Sequence, residues 1–353
     1  MSEKNTMLAA VYHGALDLRM EEVPVPEVGA GEVLVRVQGA SICGTDMRIY
    51  HGAHRMYPAG TVRIPGHEVV GTIARLGAGV SGYQEGQRVF VAPNWGCGHC
   101  RQCLGGNGNR CANYGAIGVT RDGGFAEYVL VPAPAVDQGC VMTIREEVDA
   151  AQAALIEPFA CVLRGQEPLR IQPGEVVLVM GAGPIGQMHV QLARLRGAAR
   201  ILVSDPNHTR LGQVVRSGAD RGIDPDNEDL AQAVAMESSG NGADVVIVAA
   251  PVHAAQEQAL RLAGIGGRIN FFGGLPKDQP IVQFDSNLVH YKELLVTGTT
   301  ACSNADCRKA ADIIASGRLD LSGVVSHRLP LHRALEGFAA MEDRSALKVV
   351  LLP

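Results

Sequence analysis

Residues 181–186 read Gly-Ala-Gly-Pro-Ile-Gly, and what surrounds them leaves few folds open. The continuous apolar run Val176 to Met180 reads as a strand buried on both faces, and it stops at the first glycine. Ile185, Met188, Leu192 and Leu195 then recur at helical spacing, with Gly197 placed to end the helix. Asp205 stands about 20 residues past Gly186, at the end of the next strand-like run, Ile201 to Ser204. Among 43 glycines the hexapeptide alone would mean little. Set between a strand and a helix, it reads as a dinucleotide-binding turn, the alternative being a purely structural glycine turn. Gly181 permits the tight turn, Gly183 lets a pyrophosphate approach the backbone, and Gly186 allows close helix–strand packing. Pro184 and Ile185 open the helix, whose free N–H groups favour an anion. Asp205 would accept hydrogen bonds from an adenosine ribose and repel a 2′-phosphate, which favours NAD over NADP. Arg210 either stacks on the adenine or is an ordinary surface arginine.

The rhythm of strand and helix extends from this turn. Further strands are expected at Asp244 to Ala249, Arg268 to Phe272 and Leu294 to Thr297, with helices near 207–217, 227–238 and 253–264. Such alternation specifies an α/β fold with a doubly wound parallel sheet. Before residue 150 the chain is different. Short β-branched runs (Leu8 to Tyr12, Glu32 to Val37, Val69 to Ile73, Arg88 to Ala92, Tyr128 to Val131) are separated by Gly and Pro. After Gly298 a helix at 304–315 and a strand at Lys348 to Leu352 are too little to stand alone, and the expectation is that they rejoin the β-rich part.

Length and charge narrow the function. A chain of 353 residues suits two domains. Its 31 Lys and Arg against 36 Asp and Glu give −5, with no concentrated basic field, so nucleic acid and membrane surfaces are poor partners. No apolar stretch spans a bilayer, and Met-Ser-Glu-Lys-Asn-Thr is no secretory leader, so a cytoplasmic location is expected.

Nine cysteines are present, four of them as Cys97-x2-Cys100-x2-Cys103-x7-Cys111. Four thiolates so spaced close a tetrahedron round one zinc, leaving no place for water, which makes a structural site. An iron–sulfur cluster is the main rival, but its signature continues with a gap of three and Cys-Pro, whereas here Ala112 follows Cys111. Acidic balance disfavours a nucleic-acid zinc ribbon, and disulfides or unligated thiols complete the alternatives.

Three further motifs carry potential ligands: Cys43 in Cys-Gly-Thr-Asp, His67 and Glu68 in Pro-Gly-His-Glu, and Glu157 in Ile-Glu-Pro-Phe. Singly, each has a bland reading as a small buried hydrophobe, a satisfied histidine or a helix cap. Together with the four-cysteine stretch and the glycine turn, they resemble the zinc-dependent medium-chain dehydrogenases of the alcohol dehydrogenase superfamily. The resemblance runs through nearly the whole chain and is nearest to the sorbitol, threonine and polyol-phosphate dehydrogenase branch.

That resemblance implies a GroES-like catalytic domain over 1–157 with a structural zinc lobe at 97–111. A Rossmann NAD-binding domain over 158–298 and a segment over 299–353 that returns to the catalytic domain would follow, with the active site in the cleft. It implies two zinc ions per chain. The catalytic one would be held by Cys43, His67 and a carboxylate, either Glu68 or Glu157, and the second by the four cysteines. Thr45 matches the family hydroxyl that takes the substrate proton, although it could merely stabilise a turn. The implied reaction passes a hydride between a secondary alcohol, polyol or sugar-derived, and NAD. Oxidation of an amino alcohol, as in threonine dehydrogenase, and a non-catalytic NAD-binding or sensing role are the rivals.

One position departs from the pattern. Many relatives carry a relay histidine where this chain has Arg48, which cannot act as a base. His51 or His54 could replace it, or the proton could leave through cofactor ribose and water. Arg48, His51, His54 and Arg55 form a cationic group that either meets a substrate phosphate or is a solvated loop face. Family members are dimers or tetramers, and the sheet edge near Phe271, Phe272, Leu294 and Leu295 is a candidate interface of a homo-oligomer.

Overall fold

The structure is a computed structural model that describes residues 5–353, so the first four residues of the N-terminal segment read above lie outside it. The chain divides into two compact units, one made of Met1–Ala160 with Cys302–Pro353 and the other of Cys161–Ala301.

The second unit is built on a six-stranded parallel sheet. Across the sheet the strands run Arg221–Ile223, Arg200–Ser204, Val176–Met180, Ala243–Val248, Ala263–Phe271 and Leu295–Gly298. Val176–Met180 therefore lies between the next strand in the chain, Arg200–Ser204, and the third one after it, Ala243–Val248, and the order reverses there. In open α/β sheets, ligands bind at such a reversal, beyond the carboxyl ends of the strands. The central strands are apolar on both faces because helices cover both. Leu178, Val246 and Ile269 pack on one side, and Val177, Val190, Val203 and Val245 on the other. The doubly wound sheet expected from the alternation is present. The helix His253–Leu262 is shorter than its apolar pattern suggested, because the next strand begins directly at Ala263.

The first unit contains a seven-stranded sheet and the hairpin Thr6–Gly14 with Asp17–Pro24. The C-terminal strand Val349–Leu352 pairs antiparallel with Val33–Ser41, which also pairs with Glu68–Leu76. Among the elements here without a sequence expectation are the strand His327–Pro330 and the helix Ala334–Glu342. A glycine at 337 weakens the helical signal, yet a Cβ there would come within 3.0 Å of Ile42 and Val349. Close packing, not propensity, chose that residue.

Of the four sheet-edge residues, Leu294 is buried in the core and Phe271 packs against it. Leu295 is exposed. No helix among the described residues is long and apolar enough to cross a membrane.

Candidate active site and metal centres

Strand register brings the first cluster together. Ser41 pairs with Glu68 on one side and with Val350 on the other, so the residues around Cys43, His67, Glu68 and Lys348 meet at the ends of three neighbouring strands. Cys43 Sγ, a ring nitrogen of His67 and a carboxylate oxygen of Glu68 all lie within 4.8 Å of one another. Cys43 precedes the helix Gly44–Tyr50, and Asp46 in its first turn is completely buried. Asp46 Oδ2 accepts the Cys43 backbone N–H at 2.8 Å, and Oδ1 accepts that of Gly66 at 3.3 Å. Oδ1 also lies 3.5 Å from His67 Nδ1, longer than a good hydrogen bond but close enough to orient the ring. Burial alone would lower the pKa of His67, yet the charges of Asp46 and Cys43 hold it well above the ordinary histidine value.

Glu68 brings its own counter-ion. Lys348 Nζ lies 2.6 Å from Glu68 Oε2, both side chains are buried, and the Ser41 hydroxyl donates to the same oxygen. Glu68 Oε1 is buried with no hydrogen-bond partner, as is His67 Nδ1. An orphaned carboxylate oxygen beside a thiol and an imidazole is costly in a bare protein and is satisfied by a cation. The donor set of sulfur, nitrogen and oxygen suits zinc.

Glu157 falls outside this group. It sits in the first turn of the helix Ile156–Gln166, with Oε1 3.6 Å from Cys302 Sγ. Thr45 and Arg48 share one face of the helix Gly44–Tyr50, and Arg48 Nη2 donates to Thr45 Oγ1 at 3.3 Å. His51 Nε2 meets Glu342 Oε2 at 2.8 Å, and His54 Nδ1 accepts the Met56 N–H at 3.3 Å.

The second cluster is the run between residues 97 and 111. Sulfur–sulfur distances are 3.5 Å for Cys100–Cys103, 3.8 Å for Cys100–Cys111 and 4.0 Å for Cys97–Cys103. A Zn–S bond of about 2.3 Å in a tetrahedron requires edges of about 3.8 Å. The four thiols therefore fit one zinc with little movement. Backbone N–H groups of His99 and Cys100 pull the Cys97 thiol down to about 6, favouring the thiolate a metal needs. A Cβ on Gly96 would collide with Cys103 Sγ, so only glycine fits there. The lobe is latched by Gln138, which accepts from Gly96 N at 2.9 Å and donates to Gly96 O at 2.8 Å.

In the parallel-sheet unit the three glycines have three distinct environments. Gly181 has φ +112°, which disfavours any side chain. A Cβ on Gly186 would collide with the Gly181 carbonyl, whereas one on Gly183 would meet nothing within 4 Å. That open backbone precedes the helix Pro184–Leu195, with Pro184 in its first turn and Ile185 half-buried, and suits a pyrophosphate. Asp205 Oδ2 accepts the Ala182 N–H at 2.8 Å and Oδ1 that of Asn207 at 2.9 Å, fixing the acid beside the turn. Arg210, half-buried, lies in the first turn of the helix His208–Arg216.

Sequence reasoning had not given roles to Asp46, Ser41 or Lys348. Asp46 was visible as an acid three residues after Cys43, where it caps the helix. Lys348 was visible as a charge at the head of a wholly apolar strand.

Residues 29–138 match the alcohol dehydrogenase GroES-like domain, and residues 184–316 match the zinc-binding dehydrogenase domain. An L-threonine 3-dehydrogenase of Mesorhizobium japonicum is 34% identical over 94% of each chain. One of Anaeromyxobacter dehalogenans is 36% identical, over 94% of this chain and 93% of its own. A zinc-binding dehydrogenase of Sinorhizobium meliloti 1021, solved with NADP, superposes with a TM-score of 0.91 at 34% identity, covering 99% of this chain and 100% of its own. An alcohol dehydrogenase of Escherichia coli CFT073, solved with NADH, gives 0.89 at 29% identity over the same shares. With these relatives spanning almost its full length, the chain belongs to the zinc-dependent medium-chain alcohol dehydrogenase superfamily.

Proposed function

We propose that this protein is an NAD-dependent dehydrogenase that interconverts a secondary alcohol and its ketone at a zinc held by Cys43, His67 and Glu68. The convergence of those three side chains, with an orphaned carboxylate oxygen among them, carries the reading. The ion supplies Lewis acidity that weakens an alcohol's O–H bond, and the oxidised nicotinamide supplies the hydride acceptor. The balance is alcohol plus NAD⁺ to ketone, NADH and one proton.

The chain's own residues do the positioning. Asp46 holds the Cys43 backbone and faces the His67 ring, while Ser41 and Lys348 anchor Glu68 through Oε2 and leave Oε1 available. The Thr45 hydroxyl relays the substrate proton, taking it from the alcohol as it passes its own on through the cofactor ribose and water. Glu157, outside the cluster, is left to hold water or exchange with Glu68. Gly181, Gly183 and Gly186 form the pyrophosphate cradle. Asp205 selects NAD, since a 2′-phosphate would meet its negative charge. Cys97, Cys100, Cys103 and Cys111 hold a second, structural zinc.

Polyols and amino alcohols both fit this chemistry, and the likeness to L-threonine 3-dehydrogenases puts amino alcohols first for testing. A second copy is expected at the sheet edge Leu295–Gly298, where Leu295 and Tyr291 are exposed and one side of the strand has no partner among the described residues.

The test is NADH formation by purified protein with threonine, polyols, polyol phosphates and simple alcohols, each with and without a zinc chelator and with NADP in parallel. Chelator-sensitive reduction of NAD in preference to NADP is expected. NAD binding without turnover of any alcohol would instead establish a sensing role.

A further inference from the structure

We infer that Arg48 recognises a carboxylate on the alcohol this protein oxidises, so that the substrate is a hydroxy acid or hydroxy amino acid and not a neutral polyol. The inference rests on reading Thr45 as the hydroxyl that meets the substrate. Arg48 is exposed, one turn beyond Thr45 on the helix Gly44–Tyr50, and its Nη2 donates to Thr45 Oγ1 at 3.3 Å.

Nothing nearby neutralises it. Asp46 is turned inward onto Cys43, Gly66 and His67. Glu342 is engaged by His51. Among the described residues no carboxylate forms an ion pair with Arg48. A permanent cation thus stands within hydrogen-bond distance of Thr45, beside a cluster suited to another cation. Exposed to water and without an ion-pair partner among the described residues, that guanidinium is free to take up an anion.

Two of the other three basic residues of the stretch are already committed, and Arg55 is exposed on the loop beyond the helix. His51 has its carboxylate, and the His54 ring nitrogen has the Met56 N–H. A single guanidinium in contact with Thr45 suits a singly charged carboxylate better than a dianionic phosphate. Guanidinium geometry agrees, because one N–H contacts Thr45 and the others are left to form a two-pronged contact.

The experiment compares L-threonine and 3-hydroxybutyrate, each against its own amide, and sorbitol 6-phosphate against sorbitol. Zinc-loaded wild type, Arg48→Gln and Arg48→Lys are assayed by steady-state kinetics. Calorimetric binding of each acid and amide to the NADH-loaded protein is measured beside them. The acid-over-amide preference is expected to fall about tenfold or more in Arg48→Gln, through KM and through calorimetric affinity alike, and to be partly kept in Arg48→Lys. An unchanged preference in Arg48→Gln, or a wild type that treats acid and amide alike, overturns the inference. A preference confined to the phosphate pair and lost in Arg48→Gln overturns it in favour of phosphate. If the wild type turns over no alcohol, the proposed function fails, and calorimetry still decides Arg48 by the presence or absence of an Arg48-dependent preference for the acids.

Discussion

Cys97, Cys100, Cys103 and Cys111 come from one short stretch of chain, whereas Cys43, His67, Glu68 and the Lys348 paired with Glu68 come from separate elements and nearly from both ends of the sequence. The four thiols are held by a single-turn helix, a short 3₁₀ turn and a two-residue strand pair, with Leu104 lying exposed on the lobe. Little there is ordered by apolar packing, so an ion would supply much of the order. Around Cys43 the reverse holds. The sheet fixes Ser41 opposite Glu68 and Val350 before any ion is considered. A ligand lost from the first set should therefore be felt as structure, and one lost from the second as chemistry.

The largest effect expected on that contrast is Cys43→Ser. Removing the thiolate from a preformed pocket should cost turnover at least ~1,000-fold, while NAD affinity and the melting temperature change little. Rate measurements beside calorimetry and thermal melts check this. Retained activity would remove Cys43 from the metal set, and a collapse of melting would show that the ion orders this site too.

This contrast also explains what could be read from the sequence. Spacing suffices when all the ligands lie in one loop, so the lobe was legible from Cys97 to Cys111. The glycine turn was legible for the same reason, because Gly181, Gly183 and Gly186 do their work within one strand–helix junction. Cys43 and His67 became readable only through resemblance, since nothing local says that two distant strand ends adjoin. Lys348 was not readable as a partner at all. Its pairing depends on a β-register between the last strand and Val33–Ser41, and register is a property of the assembled sheet. The helix Ala334–Glu342 escaped because Gly337 obeys packing against Ile42 and Val349.

Lys348→Met sharpens the contrast from the other direction, because it touches no proposed ligand atom and yet should disturb the assembled site. It leaves the Glu68 carboxylate buried beside the Ser41 hydroxyl without its cation. Breaking one side of a buried pair costs about 3–5 kcal/mol, so the denaturation midpoint should fall markedly. Adding Glu68→Gln in the same chain should recover part of the loss by removing the stranded charge. If the double variant is no more stable than the single one, burial of the lysine stem, and not the ion pair, holds the strands together.

Cys100→Ser should have the smallest global effect, because what it loosens is local. One thiolate of four is lost, and the Gln138 latch on Gly96 still ties the base of the lobe. Opening can then be confined to the lobe without unpairing the seven-stranded sheet. A loss of about 1–2 kcal/mol would lower the melting temperature by only a few degrees in a unit of this size. Hydrogen exchange should report much more, with faster exchange through residues 97–111 and unchanged protection along Val33–Ser41 and Glu68–Leu76. Turnover per folded molecule should fall far less than in Cys43→Ser. Uniformly faster exchange across both sheets would mean that the lobe is coupled to the whole unit, and a rate loss matching that of Cys43→Ser would erase the distinction between a centre that builds structure and one that performs chemistry.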